Sequence, residues 1–339
     1  MTEPLSAPGK IFLAGEYAVL DGRAALVMAV DRRLHASWEP ARTVQILHRP
    51  SGFVWDGGPP PEELRFAARA AGLALRLCAE EGLPLVPFRL VYQDDFSEGG
   101  AKLGLGGSAA ASVIAVRAAC AAQGRALDDA GALRLALAAH FIEQGGAGSG
   151  ADVAACALGG VQQVRAHLPW RTAEEAMALT ARDILGADPI AARSVQVSPE
   201  ARFLLAFTGQ SADTRVLIRR VRAFREGDPR RWQAIAGEME ACAESLRTAL
   251  EAGARDSALE AVRDAAAAMA RLGEAAGAGI ITAELALACA LSASAGAAGK
   301  PSGAGGGDCA VVLAFGDEAR DRAEAALRPH FRVLRVAPG

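Results

Sequence analysis

Apolar and polar positions along this chain follow two rhythms. One has a period of about two and the other of about 3.6, and the switches between them mark alternating strands and helices. Short apolar runs at 11–13 and 24–30 read as buried strands, with Asp21-Gly22 between them as a turn signal. Residues 33–38 and 43–47 alternate apolar with polar side chains, as half-buried strands do. Helical spacing over 62–81 stops before Gly82, a C-cap glycine, and 88–92 reads as a strand. A polar loop at 93–102 leads to alanine-rich helices over 108–122 and 127–141, then a short helix at 152–158 and a strand at 161–164. Residues 170–200 give no clear period. A buried strand at 203–207 is followed by helices over 214–225, 231–252, 254–273 and 280–293. A strand (310–315), a helix (318–327) and a strand (331–336) close the chain. The pattern is α+β in two halves, with the expected division at 1–185 and 186–339.

Composition narrows the class. The 339 residues carry 36 Lys+Arg against 39 Asp+Glu, a net charge of −3, so there is no basic footprint for nucleic acid. Hydrophobic residues make up 51%, much of it alanine broken by charges or glycine. No run of 18 clean apolar residues offers a membrane span. No basic-then-apolar leader is apparent. The six cysteines form no CxxC pair, and none stands at metal-ligand spacing to a histidine. Reduced thiols and a cytoplasmic protein are expected.

Three glycine-rich segments carry the chemistry: Pro8-Gly9-Lys10, then Gly104-Leu105-Gly106-Gly107-Ser108-Ala109, then Ser302-Gly303-Ala304-Gly305-Gly306-Gly307-Asp308. Glycine lets backbone N–H groups gather close to a ligand, and the start of a helix adds free donors and positive dipole, so such loops bind phosphate. The central segment runs straight into a helix. Ser108 there suits either a Mg²⁺ ligand or the helix N-cap. No Walker A string occurs. Gly104, Gly106 and Ala109 match a dinucleotide fingerprint formally, but a polar loop precedes them and Asp128 and Asp129 fall in a helical pattern, which excludes that reading. The chain has three lysines, Lys10, Lys102 and Lys300, and all flank glycine loops. A compact point charge kept only there suits phosphate binding.

The three segments, in this order, resemble those of the GHMP-superfamily kinases, and within that superfamily the phosphomevalonate kinase family. The opening Ala7-Pro8-Gly9-Lys10 through Glu16-Tyr17-Ala18-Val19-Leu20, Gly148-Ser149-Gly150-Ala151-Asp152-Val153-Ala154, Thr208 to Thr214, and Lys300 to Cys309 are similar to that family's strings. The resemblance implies an N-terminal domain like the second domain of ribosomal protein S5, a ferredoxin-like C-terminal domain and a site between them. It implies ATP- and Mg²⁺-dependent phosphorylation of a small phosphorylated acceptor, 5-phosphomevalonate, with Asp152 and Lys10 catalytic. Lys102, Gly104, Leu105, Gly106, Gly107, Ser108 and Ala109 would bind ATP. Lys10, Ser149, Asp152, Ser211, Lys300, Ser302, Gly303, Ala304 and Gly305 would bind the acceptor. Ser108 and Glu143 would be the Mg²⁺ ligands. Mevalonate kinase, another small-molecule GHMP kinase, the related decarboxylase and a non-catalytic ligand-binding protein on the same scaffold are the alternatives. Neither a nucleic-acid nor a membrane partner is expected, and a monomer or a homodimer is.

Two positions depart from the family's pattern: Gly107 stands where serine is usual, and Asp213 where serine is frequent. The five histidines share no triad or metal spacing and read as structural or solvent-facing. Cys309 reads as a small buried apolar residue. Arg215, Arg219, Arg220 and Arg225 make a basic helix face, solvated or attracting an anionic substrate.

Overall fold

A computed structural model describes residues 3–94, 96–98, 101–209 and 214–339. The elements of the first half are β1 (Glu3–Ala14), β2 (Ala25–Pro40), β3 (Gln45–His48), β4 (Phe53–Trp55), α1 (Arg65–Glu80) and β5 (Phe88–Tyr92). A two-residue hairpin, β6 (Ser97–Glu98) and β7 (Ala101–Lys102), leads to α2 (Gly107–Ala122), α3 (Asp129–Glu143), α4 (Ala151–Leu158) and β8 (Val161–Ala166). Then come α5 (Ala173–Ala178), α6 (Ala181–Gly186) and β9 (Ile190–Val195). The second half holds β10 (Ala201–Phe207), α7 (Thr214–Gly227), α8 (Pro229–Ala252), α9 (Arg255–Ala275), α10 (Ala283–Ser294), β11 (Ala298–Pro301), β12 (Cys309–Phe315), α11 (Asp317–Leu327) and β13 (Arg332–Val336).

The first sheet runs β4-β3-β5-β2-β8-β9, with β1 paired along the other edge of the long strand β2. Asp21-Gly22 does not close a two-residue hairpin between β1 and β2. Instead the chain winds a 3₁₀ turn over Ala18–Asp21, and Gly22, at φ 74°, caps it in the left-handed region. The uncertain stretch 170–200 resolves into α5, α6 and β9. Thr172 and Thr180 cap the two short helices, and Asp183 returns a bond to Thr180 in a capping box. Strand β9 pairs with β8 from Val161↔Val195 to Ala166↔Ile190. A division at 185/186 would separate these partners. We therefore propose the boundary at 196–200.

The second sheet has the order β11-β12-β10-β13, all antiparallel. Numbered within this half the strands lie 4-1-3-2, which with its helices is the expected ferredoxin-like arrangement. Strand β10 is apolar on both faces. Phe203, Leu205 and Phe207 join the core shared with α8, α9 and the first sheet, while Leu204 and Ala206 pack with α10 and α11. Alanine makes the first half's helical layer thin. Ala109, Ala110, Ala115 and Ala118 of α2 and Ala132, Ala136 and Ala139 of α3 are all fully buried. Small side chains bring these helices close to one another and to β1, which puts the glycine loops at their ends within reach of each other. The core runs unbroken from β1 into the second half, where Leu13 shares it with Phe203, Leu246 and Val311. Among the described residues, no helix is long and apolar enough to cross a membrane. All six cysteines are free. Cys309 is buried, as expected, and burial pushes its thiol up to about 12.

Candidate active site

Strand β1 carries the first segment into the middle of the molecule. Its register with β2 jumps between Pro8 and Gly9, just before Lys10. Gly9 lets the strand press on the second loop, because a Cβ there would stand 3.1 Å from Leu105. The Lys10 amide donates to the Leu105 carbonyl at 2.8 Å. The Lys10 stem crosses Gly106, where a Cβ would lie 2.8 Å from Cε, and its ammonium sits 5.6 Å from the Phe12 ring centre. Gly106, at φ 79°, is the N-cap of α2. Two constraints, the left-handed backbone and the lysine stem, therefore demand glycine at this one position. Among the described residues, no carboxylate pairs with the Lys10 ammonium.

Ser108 is not the cap. It lies inside the first turn of α2, and its Oγ meets His140 Nε2 at 3.0 Å. The amides of Gly107 and Ser108 have no backbone acceptor, so they remain as donors at the positive end of the helix. Asp152 occupies the same place on α4, after Gly150 at φ 77°. Its Oδ1 accepts from the Val153 amide at 2.9 Å and its Oδ2 lies 3.8 Å from His140 Nε2. His140 projects from the last turn of α3, is 1% exposed and stacks on Phe66 with ring centres 4.7 Å apart. Burial pushes its imidazole below the ordinary value against the pull of Asp152, and Lys10 and Arg65 push the same way. His140 is thus a neutral group at the centre of the site, not the structural or solvent-facing histidine expected. Spacing along the chain could not reveal it, because Ser108, His140 and Asp152 come from three different helices.

Two cavities are lined by the glycine loops that precede Ser108 and Asp152. One, of about 510 Å³, is walled by Gly104–Ser108 together with Phe66, Tyr92, Phe96 and Leu34. The other, of about 550 Å³, is walled by Gly148 and Ser149 together with Tyr17, Trp170, Arg171 and Arg222. Ser149 Oγ accepts from the Ala151 amide at 3.3 Å, which leaves its own proton for a ligand. The first cavity is mixed: apolar Leu34, Phe66, Tyr92 and Phe96 face polar His48, Glu62, Glu63 and Arg65, with the α2 N-terminus at Gly107 and Ser108 on its wall. The second is amphipathic and basic.

The third segment closes the back of the site. Ser302 Oγ accepts from the Phe12 amide at 3.0 Å and donates to the Phe12 carbonyl at 3.2 Å. Ala304 O receives the Tyr17 hydroxyl at 2.6 Å, and Tyr17 itself holds a strained φ of 51°. Gly305, at φ 74°, would drive a Cβ to 2.4 Å from Ile280 O. Asp308, at φ 50°, lies over Gly104, a proximity with no signal in the local sequence.

Several expected roles change. Lys300 is completely buried; its ammonium pairs with Glu16 and donates to the Pro301 carbonyl, so it is a strut and not an acceptor ligand. Ser302 is likewise a clamp on β1, and neither Ser302, Gly303, Ala304 nor Gly305 walls either cavity. Glu143 faces a separate groove, held by Arg69 at 2.7 Å and Arg65 at 3.7 Å, which removes it as a Mg²⁺ ligand. No direct Lys10–Asp152 ion pair forms, although both act electrostatically on His140. On the basic face of α7, Arg225 pairs with Asp21 and Arg220 donates to Gly277 O, while Arg222 lines the second cavity. Ser211 and Asp213 lie outside the described residues, as does the side chain of Lys102. Among the described residues, no cluster of three or more His, Cys, Asp or Glu forms a metal site. The oxygens of Ser108 and Asp152 fit a Mg²⁺ that is carried mainly by nucleotide phosphates, as this ion usually is.

Comparison with known proteins agrees with this geometry. The family described as GHMP kinases N terminal domain matches residues 67–160. Phosphomevalonate kinase of Streptomyces sp. (strain CL190) is 31% identical over 93% of this chain and 90% of its own length. The chain belongs to the phosphomevalonate kinase family. Among solved structures, Streptococcus pneumoniae phosphomevalonate kinase in complex with phosphomevalonate and AMPPNP superposes at a TM-score of 0.89. That match has 23% identity and covers 99% of this chain and 100% of the other. The L. major mevalonate kinase in complex with R-mevalonate has a TM-score of 0.71 at 18% identity, covering 99% of this chain and 95% of the other. The expected GHMP kinase fold is therefore the observed one. Lys10 and Asp152, expected from the resemblance to be catalytic, both act electrostatically on the buried His140.

Proposed function

We propose that this member of the phosphomevalonate kinase family transfers the γ-phosphoryl group of ATP to the phosphate of 5-phosphomevalonate, giving ADP and 5-diphosphomevalonate. The observation that carries the reading is the meeting of Ser108 and Asp152 on His140, with Ser108 on the wall of one cavity, Ser149 near Asp152 on the wall of the other, and a Lys10 ammonium that pairs with no carboxylate among the described residues. The first cavity suits a nucleotide, its aromatic side chains for the base, its polar ones for the ribose and the α2 N-terminus for the phosphates. The basic cavity suits a small anion, with Arg171, Arg222 and Ser149 on its wall.

In the transfer, an oxygen of the acceptor phosphate bonds to Pγ, the bond from Pγ to the bridging oxygen breaks, and ADP departs with that electron pair. A phosphate monoester is largely ionised at neutral pH, with a second pKa of about 6, so no strong base is required. The work is alignment and charge neutralisation. Lys10 and the Gly107 and Ser108 amides supply positive charge and donors where negative charge develops. Asp152 would orient the acceptor, with Lys10 acting on the same centre through its charge and not through a direct pair. Mg²⁺, when bound with the nucleotide, adds neutralisation of the phosphate oxygens, with Ser108 and Asp152 as the nearby protein oxygens.

The test is ADP release with Mg-ATP on mevalonate, 5-phosphomevalonate and 5-diphosphomevalonate in parallel. Turnover chiefly on 5-phosphomevalonate, lost in Asp152→Ala and reduced by about 10³-fold in Lys10→Met, supports the reading. Turnover on mevalonate alone would move the acceptor, and none on any would overturn the activity.

A further inference from the structure

His140 has no role in the reading so far, yet every described polar contact of its ring falls on the centre of the site. Its Nε2 faces oxygens at the starts of two helices: Ser108 Oγ on α2, which lines the first cavity, at 3.0 Å, and Asp152 Oδ2 on α4, just after the Gly148-Ser149 wall of the second, at 3.8 Å. In a hydrolase relay the hydroxyl and the carboxylate occupy opposite ring nitrogens. Here they share one, so the group does not activate Ser108 as a nucleophile. Among the described residues, His140 Nε2 is the one polar partner of Ser108 Oγ. The backbone behind that serine is anchored separately, where Ser112 Oγ donates to Ser108 O at 2.9 Å. The ring cannot swing away, being buried and stacked on Phe66.

We propose that His140 is a positioning residue whose Nε2–H donates to Ser108 Oγ while facing the Asp152 carboxylate electrostatically at 3.8 Å, and so keeps the nucleotide loop and the α4 carboxylate in fixed relation. This deepens the phosphoryl-transfer reading of the same site and rests on it for its kinetic consequence. The carboxylate so near Nε2 favours the tautomer with the proton on that nitrogen. Nε2–H then donates to Ser108 Oγ, and the serine's own proton turns into the nucleotide cavity, toward a phosphate oxygen. A neutral donor serves better here than an acid, which would add a second negative charge beside Asp152 and the phosphates. The same centre thereby transmits the position of α2 to α4 through one buried ring on α3.

The experiment has two arms on the full chain. Ring-nitrogen NMR at neutral pH reads the tautomer of each of the five histidines. The His140 signal is expected as the Nε2–H form and is expected to move in Ser108→Ala; an Nδ1–H form, or no response, overturns the proposal. In steady-state kinetics, His140→Leu should lower kcat by roughly 30-fold with acceptor KM little changed, since sub-ångström misplacement at a transfer site has effects approaching ~10²-fold. His140→Gln, which keeps an N–H donor, should recover most of that loss. Equal losses in both variants would make the role merely structural and overturn the proposal. Should the wild type fail to turn over 5-phosphomevalonate, the activity falls, and the tautomer with its Ser108 response still decides the place of His140.

Discussion

Replacing Lys300 with methionine isolates the largest change that the structure makes to the expected roles. The ammonium is 0% exposed and pairs with Glu16, itself 3% exposed, across 284 residues of sequence. Methionine keeps the apolar stem and removes the charge, so Glu16 would be left as an uncompensated buried carboxylate. Breaking a buried pair from one side costs about 3–5 kcal/mol, whereas replacing both partners by groups of similar shape is often close to neutral. For a chain of 339 residues, an unfolding entropy of about 2.1 cal/mol/K per residue converts that cost into a drop in Tm of roughly 4–7 °C. Glu16→Gln with Lys300→Met should restore most of it. Differential scanning calorimetry at several scan rates measures the effect, with acceptor KM determined alongside. The reasoning predicts lowered stability in the single variant, recovery in the double and acceptor KM within about threefold throughout. A Lys300→Met protein of unchanged Tm whose acceptor KM rises tenfold or more would refute the strut and return Lys300 to the acceptor site.

Gly305→Ala should cost about 2 kcal/mol or more, read by urea denaturation, because φ 74° is strained for alanine and its Cβ would meet the Ile280 carbonyl. Gly107→Ser should be tolerated and keep full kcat, since a Cβ there meets only Phe96, at an ordinary 3.7 Å; a loss of folding would show the departure from the family pattern to be steric. Glu240 ties α8 to the residues just before β2, through the Ala24 amide and Arg23, and to β8 through Arg165. Burial opposes its ionisation, but the Ala24 amide and the two guanidiniums outweigh burial and hold the carboxyl below the usual range. Its contribution is therefore present above the unfolded carboxyl's range and lost as pH falls through the lower folded value. Glu240→Gln should cost about 2 kcal/mol at pH 7, with the gap to wild type closing below about pH 4 in chemical denaturation.

Much of this protein was legible in the chain because the decisive signals are local. Periods of two and 3.6 depend on neighbours a few residues away, and they placed the long helices α1, α2, α8 and α9 and the strands β5, β10 and β12. A glycine loop running into a helix is also local chemistry, so Gly104 to Ser108 read as a phosphate-binding loop without coordinates, whereas Asp152 was singled out by the family resemblance. The pairing of β9 with β8, by contrast, joins residues whose own stretch has no clear period, so the strand escaped notice.

What a side chain does once it reaches the site is a question of distance, and local pattern carries none. Lys10 and Lys300 look alike beside their glycine loops, yet among the described residues one ammonium pairs with no carboxylate and the other is sealed against Glu16. Ser302 looks like a ligand and is a clamp on Phe12; Glu143 looks like a metal ligand and faces two arginines in another groove. His140, which had no informative neighbour in sequence, became central because three helices with alanine-thin contacts converge on it. The sequence by itself determined the elements, the loops and the family. Only the packing of those elements decided which charges face a ligand and which are neutralised inside, because that depends on partners hundreds of residues away and on the exclusion of water around them.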